Sequence, residues 1–219
     1  MRKELKNPAR EAYIAQLFAE EKSVHKTIRV QMEKEGFDHM SLSPIEGQML
    51  KFYTKFIGAK NIVEVGSLLG YSAVWMADAL PEDGKIYCLE ISEERAALIQ
   101  KNFEQFNMAN KLEVLTGDAM EQLSKLEDKA PFDMCFIDAN KGAYVKYLDW
   151  ADKNIKKGGL IIGDNTFLFG GVYDEENSDE SKNRISIMKE FNKRLADQSK
   201  YNSMLFPTAE GMTIAQKLF

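Results

Sequence analysis

Histidine and cysteine are scarce in this chain of 219 residues, which holds only His25, His39, Cys88 and Cys135. Two thiols cannot build a disulfide framework or a four-thiolate zinc site, and two imidazoles effectively exclude zinc chemistry that rests on several of them. A basic excess is missing too. The 29 Lys and Arg face 34 Asp and Glu, a formal charge of −5, so the overall positive field that draws nucleic acid non-specifically is absent. No run approaches the ~18–20 apolar residues of a membrane span. The opening Met1-Arg-Lys-Glu-Leu-Lys-Asn-Pro8 lacks the apolar stretch of a secretory leader. These absences predict a cytoplasmic protein with reduced thiols and neither a nucleic-acid nor a membrane partner. What the chain does hold is 44% apolar residues, enough for a sizeable core without staples.

The organisation reads as one domain over residues 1–219, with a helical extension (1–38) and a core (39–219). In the extension Ala12, Tyr13, Leu17, Val24, Ile28 and Met32 recur at helical intervals, and Gly36 stops the pattern. Ser43-Pro44 then has the form of a helix start, with serine as N-cap and proline at the first helical position. Beyond Gly58 the period changes. Five short apolar runs (61–66, 85–90, 112–116, 133–138 and 160–163) alternate with helical segments. That alternation predicts right-handed βαβ units and an α/β, Rossmann-like doubly wound sheet with helices on both faces. Two further strands near 201–205 and 212–217 bring the expected sheet to seven, mostly parallel. The acidic stretch 173–182 lies inside the domain, where a loop of that length is usually functional or mobile.

In such a sheet, ligands sit outside the carboxyl ends of the strands. The first strand ends in Glu64-Val-Gly66-Ser-Leu-Leu-Gly70-Tyr-Ser72, where two glycines allow a tight turn and close approach to a ligand. The middle glycine of the dinucleotide fingerprint is missing, and a plain strand–helix turn also explains the spacing. Glu90 ends the second strand, 24 residues past Gly66. A carboxylate there accepts hydrogen bonds from ribose hydroxyls or is simply solvated. Gly117-Asp118-Ala119 follows the third strand, offering a place for an adenine, an N-cap at Asp118, or both. Asp138 closes the fourth strand in Phe136-Ile-Asp138-Ala-Asn140-Lys141, and Asp164 and Asn165 close the fifth. Neighbouring strand ends lie roughly 5 Å apart. Two carboxylates and an amide carbonyl that converge suit a hard divalent cation; the plainer alternative is that each aspartate caps the helix or loop after its strand.

At these residues the chain resembles the cation-dependent O-methyltransferases that use S-adenosylmethionine, the group of catechol and caffeoyl-CoA O-methyltransferases. The likeness rests on Met40-Ser-Leu-Ser-Pro-Ile-Glu46-Gly-Gln48, Glu64 to Ser72, Phe136-Ile-Asp138-Ala-Asn-Lys141-Gly-Ala-Tyr144-Val-Lys-Tyr147 and Gly158-Gly-Leu-Ile-Ile-Gly-Asp164-Asn165. It covers residues 40 to 171, with a looser match at 211–217. It implies cofactor contacts at Leu42, Glu64, Gly66, Ser67, Ser72, Glu90, Ala119 and Asp138. It implies metal ligation by Asp138, Asp164 and Asn165, for Mg²⁺ first and Ca²⁺ or Mn²⁺ after it. Lys141 matches the residue regarded as general base, with Asp138 beside it in catalysis, and a homodimer is implied. Two departures fall where the acceptor enters: Asn140 where the family often has Asp, and Thr166-Phe-Leu-Phe-Gly170-Gly171 in place of Leu-Trp-x-Gly.

The expected reaction moves a methyl group to a hydroxyl of a catechol-like or caffeoyl-type phenol. An ordinary phenol, with a pKa of about 10, is mostly protonated at neutral pH. A cation that binds two adjacent hydroxyls would acidify and aim the reacting one. A lysine beside it acts as base only if its ammonium is depressed, and otherwise stabilises the phenolate. Of the nearby aromatics, Trp75, Tyr144 and Tyr147 read as core, while Phe167 and Phe169 are candidates for the substrate wall. The rival readings are a methyltransferase of the same fold acting on nucleic acid or protein, and a non-catalytic cofactor-binding protein.

Overall fold

The computed structural model describes residues 8–219; Met1–Asn7, read above for a leader, lie outside them. The five apolar runs become the parallel strands β1 (Asn61–Val65), β2 (Lys85–Glu90), β3 (Leu112–Thr116), β4 (Phe132–Ile137) and β5 (Ile155–Gly163). Strands β6 (Tyr201–Phe206) and β7 (Met212–Lys217) pair antiparallel, with β7 against β5. The order is β3-β2-β1-β4-β5-β7-β6, the expected seven-stranded, mostly parallel, doubly wound sheet. Its topological switch point lies between β1 and β4, where such folds place their ligands.

Helices α1 (Pro8–Phe18), α2 (Ser23–Glu35) and α3 (Pro44–Phe56) precede β1, and α4 (Tyr71–Ala77), α5 (Glu93–Gln105), α6 (Ala119–Leu126), α7 (Tyr144–Asn154) and α8 (Lys182–Leu195) each connect one strand to the next from β1 to β6. Strand alternation divides the core into two. Ile62, Ile86 and Phe136 point to one face, where Ile28, Leu50, Trp75 and Phe103 cover them. Val63, Leu89 and Ile137 point to the other, under Leu123, Leu148 and Phe191. Each large apolar side chain fully buried this way contributes about 1.5–3 kcal/mol. Of the helical extension, α2 docks through Val24, His25, Ile28 and Met32, whereas α1 buries no side chain and leaves Tyr13 and Leu17 exposed.

Helix α3 starts where Ser43-Pro44 predicts. The Ser43 Oγ accepts from the Glu46 N–H at 3.2 Å and the Glu46 carboxylate accepts from the Ser43 N–H at 2.9 Å, a reciprocal cap. Strand β5 differs from its sequence reading: it begins at Ile155, so Gly158 and Gly159 lie inside it. Its pairing with β4 jumps from Phe132↔Ile155 to Met134↔Leu160. The extra residues bulge at Gly158, which has φ +80°, and a Cβ on Gly159 would sit 2.7 Å from the Asp133 carbonyl. The glycine pair is a register break within the strand.

Candidate active site

The ladders Val65↔Leu89, Val65↔Ile137 and Ile137↔Gly163 set the heights of four strands. One step further on, Glu90, Gly66, Asp138 and Asp164 stand abreast across β2, β1, β4 and β5. The backbone continues the ladders to this row: the Gly66 N–H bonds the Leu89 carbonyl at 3.1 Å, the Asp138 N–H bonds Val65 at 2.9 Å and the Asp164 N–H bonds Ile137 at 3.0 Å. The β1 place in the row has to be empty. Gly66 has φ +93°, and a Cβ there would lie 2.2 Å from the Asp138 carbonyl oxygen. Three carboxyl groups and one gap therefore share the floor of a cleft of about 1040 Å³, at the top of the usual size range for ligand pockets.

Gly66, Leu68, Glu90, Gly117, Asp118, Ala119 and Tyr147 line one end of this cleft, and Leu42 reaches it from the loop before α3. Glu90 is a held carboxylate rather than a freely solvated one: it is 4% exposed. Its Oε1 accepts from the Ser92 N–H at 2.9 Å and from the Arg95 guanidinium at 2.8 and 2.5 Å. Its Oε2 takes only the Leu68 N–H, at 2.9 Å, and keeps capacity for a ribose hydroxyl. Arg95 in turn lies over the Phe37 ring at 5.7 Å, tying the helical extension to this end. Asp118 is the expected cap, its Oδ1 accepting from the Met120 and Glu121 N–H groups of α6, and it also lines the cleft.

Asp138, Lys141, Asp164 and Asn165 come together at the other end. The Lys141 ammonium is 6% exposed and donates to Asp138 Oδ1 at 2.8 Å, to the Tyr144 hydroxyl at 2.6 Å and to the Asp164 carbonyl at 3.4 Å. Three acceptors around Nζ match the three hydrogens of an ammonium. Asp164 is 4% exposed, and its Oδ1 has no hydrogen-bond partner. Burial, then the neighbouring Asp138 charge, then Glu46 push its carboxyl well above the usual range, while Lys141 pulls it down. Capping does not account for the pair. The cap after β4 is Asn140, which accepts from the Gly142 N–H at 3.0 Å, and the residues after Asp164 are turns. Among the described residues no three His, Cys, Asp or Glu side chains are placed to hold a metal ion by themselves; the candidate donors are two carboxylates and the amide of Asn165, whose backbone is left-handed at φ +51°. Two mutually repelling carboxylates with an orphaned buried oxygen fit a divalent oxygen-liganded cation.

Glu64, Ser67 and Ser72 lie beneath the cleft and do not line it, at 0, 2 and 9% exposure. The Ser72 hydroxyl donates to Glu64 Oε1 at 2.5 Å, and the Cys88 thiol donates to Oε2 at 3.4 Å. Burial pushes the Glu64 carboxyl up to about 7, against the opposing hydrogen bonds of Ser72 and Cys88. A carboxyl that holds its proton more tightly folded than unfolded favours the native state below about pH 4.5, and that advantage is lost as pH rises through about 7. The loss is on the order of 3 kcal/mol. Glu64→Gln is therefore expected to flatten the decline, with unfolding midpoints matching the parent near pH 4.5 and exceeding it by several degrees at pH 7.5. Parallel thermal melts across that range check it, and equal slopes refute it.

Several cleft residues gave no signal in the sequence. Arg29 comes from α2, bonding Glu21 at 3.0 Å and the Tyr71 hydroxyl at 2.6 Å. Arg184 comes from α8, and Ala209 and Glu210 from the β6–β7 turn. Of the two candidate wall aromatics, Phe169 lines the cleft and is 57% exposed, whereas Phe167 packs under Gly211 and edge-on to Tyr173. Tyr147, read as core, is buried yet forms part of the lining, and Trp75 and Tyr144 are core as read. No helix among the described residues is long and apolar enough to cross a membrane.

The chain is similar in sequence and in fold to known proteins. Catechol O-methyltransferase of Niastella koreensis is 37% identical over 169 residues, 76% of each chain. Caffeoyl-CoA O-methyltransferase 1 of Zea mays is 34% identical over 201 residues, 88% of this chain and 78% of that one. Among solved structures, the O-methyltransferase from Bacillus cereus in complex with SAH superposes with a TM-score of 0.85 at 29% identity, covering 95% of this chain and 97% of the other. The O-methyltransferase TomG from Streptomyces achromogenes in complex with SAM gives 0.86 at 26%, covering 96% of each. The family model described as O-methyltransferase matches residues 15–218, and with that match the chain belongs to the O-methyltransferase family.

Proposed function

We propose that this chain transfers the methyl group of S-adenosylmethionine to a hydroxyl of a catechol-type or caffeoyl-type phenol, with a divalent cation, Mg²⁺ before Ca²⁺ or Mn²⁺, held by Asp138, Asp164 and Asn165. The observation that carries the reading is the orphaned Asp164 Oδ1, abreast of Asp138 on the same cleft floor as Gly66 and Glu90. The named substrates of the relatives and the SAM and SAH in the similar structures support it.

The cofactor supplies an electrophilic methyl on a sulfonium. The cation, when bound, supplies Lewis acidity that acidifies a vicinal diol and fixes its direction. The protein does the rest. Glu90 Oε2 would accept from the ribose, Leu42 and Ala119 would flank the nucleoside, and the lack of a side chain at Gly66 lets the Asp138 backbone close up against β1. Lys141, held by Asp138, Tyr144 and the Asp164 carbonyl, stabilises the phenolate as it forms. Tyr144 donates to the Ile137 and Asp164 carbonyls at 3.0 and 2.9 Å, which fixes Lys141 against the floor. Positioning both reactants in one cleft supplies much of the acceleration, since well-oriented groups reach effective molarities of about 10⁵ M and above. Exposed Tyr13, Leu17, Phe52 and Phe56 on α1 and α3 offer an apolar face for the homodimer.

The test is methyl transfer to a matched pair of acceptors, catechol and phenol, with saturating cofactor and Mg²⁺. Catechol is expected to give its monomethyl ether with one S-adenosylhomocysteine per turnover, and phenol at least about a hundredfold less, because one hydroxyl cannot chelate. Cofactor binding with no transfer to any vicinal diol would overturn the proposal.

A further inference from the structure

The acceptor end of the cleft carries a charge that the reaction does not use. Arg184, in the first turn of α8, lines the cleft with Phe169. The field of a helix disfavours a cation in its first turn, so this position is not explained by helix stability. Its NH1 is fixed to Glu180 Oε2 at 2.7 Å, which orients the guanidinium. Its Nε is shielded from solvent without a hydrogen-bond partner, while the side chain as a whole is 39% exposed. Nε is thus closed to a ligand too, and the exposed part of the side chain is what lines the cleft; a held cation on the same cleft as an exposed aromatic ring is the complement of a carboxylate attached to an aromatic ring. The surroundings limit how much negative charge can enter. The segment leading into α8 carries Asp174, Glu175, Glu176 and Asp179 besides Glu180, and Glu210 lines the cleft from the β6–β7 turn. A polyphosphate would bring several negative charges toward Glu210 and Glu180; a single carboxylate meets Arg184.

We propose that the acceptor of this chain is a compact phenol carrying one carboxylate, bound by Arg184 with its ring against Phe169, in preference to a neutral catechol or a coenzyme A thioester. The inference rests on the methyltransferase reading above and adds the acceptor's chemical class to it.

The experiment compares kcat/KM for 3,4-dihydroxybenzoate, catechol, dopamine and caffeoyl-CoA in the parent chain, Arg184→Gln, Arg184→Lys and Arg184→Glu. The parent is expected to prefer the carboxylate over catechol by about tenfold or more, as for one hydrogen bond to a charged group. Arg184→Gln collapses that ratio to about one, Arg184→Lys leaves it intermediate because the charge stays but the held guanidinium is lost, and Arg184→Glu turns the preference toward the amine. Thermal midpoints and S-adenosylhomocysteine affinity matching the parent show that each variant is folded, and the parent's own ranking decides even if a variant is not. A parent that prefers catechol, dopamine or the thioester overturns the inference, as does a ratio unchanged in Arg184→Gln. Catechol separates this failure from failure of the reaction itself: if the parent methylates none of the four, the methyltransferase reading falls, whereas methylation of catechol without a carboxylate preference removes the acceptor class alone.

Discussion

Asp164→Ala, assayed with saturating cofactor, catechol and Mg²⁺, is expected to turn over at least about a thousandfold more slowly than the parent chain. Lewis-acid stabilisation of a developing oxyanion is worth several kcal/mol, and each 1.36 kcal/mol is a factor of ten in rate. The fold should survive, because the contacts of Asp164 with Tyr144 and Lys141 run through its backbone carbonyl. Removing a buried carboxyl with an orphaned Oδ1 leaves the thermal midpoint equal or higher. Affinity for S-adenosylhomocysteine, measured by calorimetry, stays within about threefold, since Glu90 and Gly66 at the far end are untouched. A chelator should inflict the same loss on the parent, reversed by added Mg²⁺ in the parent and not in the variant. Undiminished turnover in excess chelator would remove the cation from the account.

Lys141→Met keeps the bulk of the side chain and removes its charge; kcat is expected to fall by about 10²- to 10⁴-fold, the range for a group that handles a proton or its charge in the transition state. The companion variant separates the two roles. Nζ is surrounded by three acceptors; on the proposed role of its positive charge, Lys141→Arg should recover at least about tenfold over Lys141→Met. If arginine is no better than methionine, proton removal and not charge is the function of Lys141. Affinity for S-adenosylhomocysteine in both variants reports whether Asp138 has shifted after losing its partner at 2.8 Å.

The strand ends were legible because a two-residue period and the glycine positions together define where each strand stops. Glu90, Asp138, Asp164 and Asn165 all follow from that; the start of α3 was legible from a separate signal, Ser43 before Pro44. The depth of a residue below the strand end is harder to see. Glu64 has the residue type of a ligand contact, yet it faces the same side as Gly66 two residues earlier, roughly 6–7 Å deeper in the sheet, and bonds Ser72 instead of facing the cleft. Arg29, Arg95 and Arg184 were not legible at all. Each lies on a helix whose rotation over the sheet is decided by packing, and a charged residue on a partly exposed helix has the same local pattern whether it faces solvent or a cleft. Phe167 and Phe169 differ for a similar reason: the left-handed backbone at Leu168 and Phe169, φ +49° and +51°, sends neighbouring rings to opposite sides of the turn.

The row of Glu90, Gly66, Asp138 and Asp164 has one more consequence. Four strands contribute one position each, so competence depends on all of them having met in the correct alignment. A slip of β4 by two residues would keep its apolar face inward and leave a sheet of normal spectroscopic appearance, but Phe136 or Asn140 would then occupy the slot meant for Asp138. Methyl transfer thus acts as a proofreader of assembly, silent in any conformer whose threading is wrong even when that conformer is compact and well ordered.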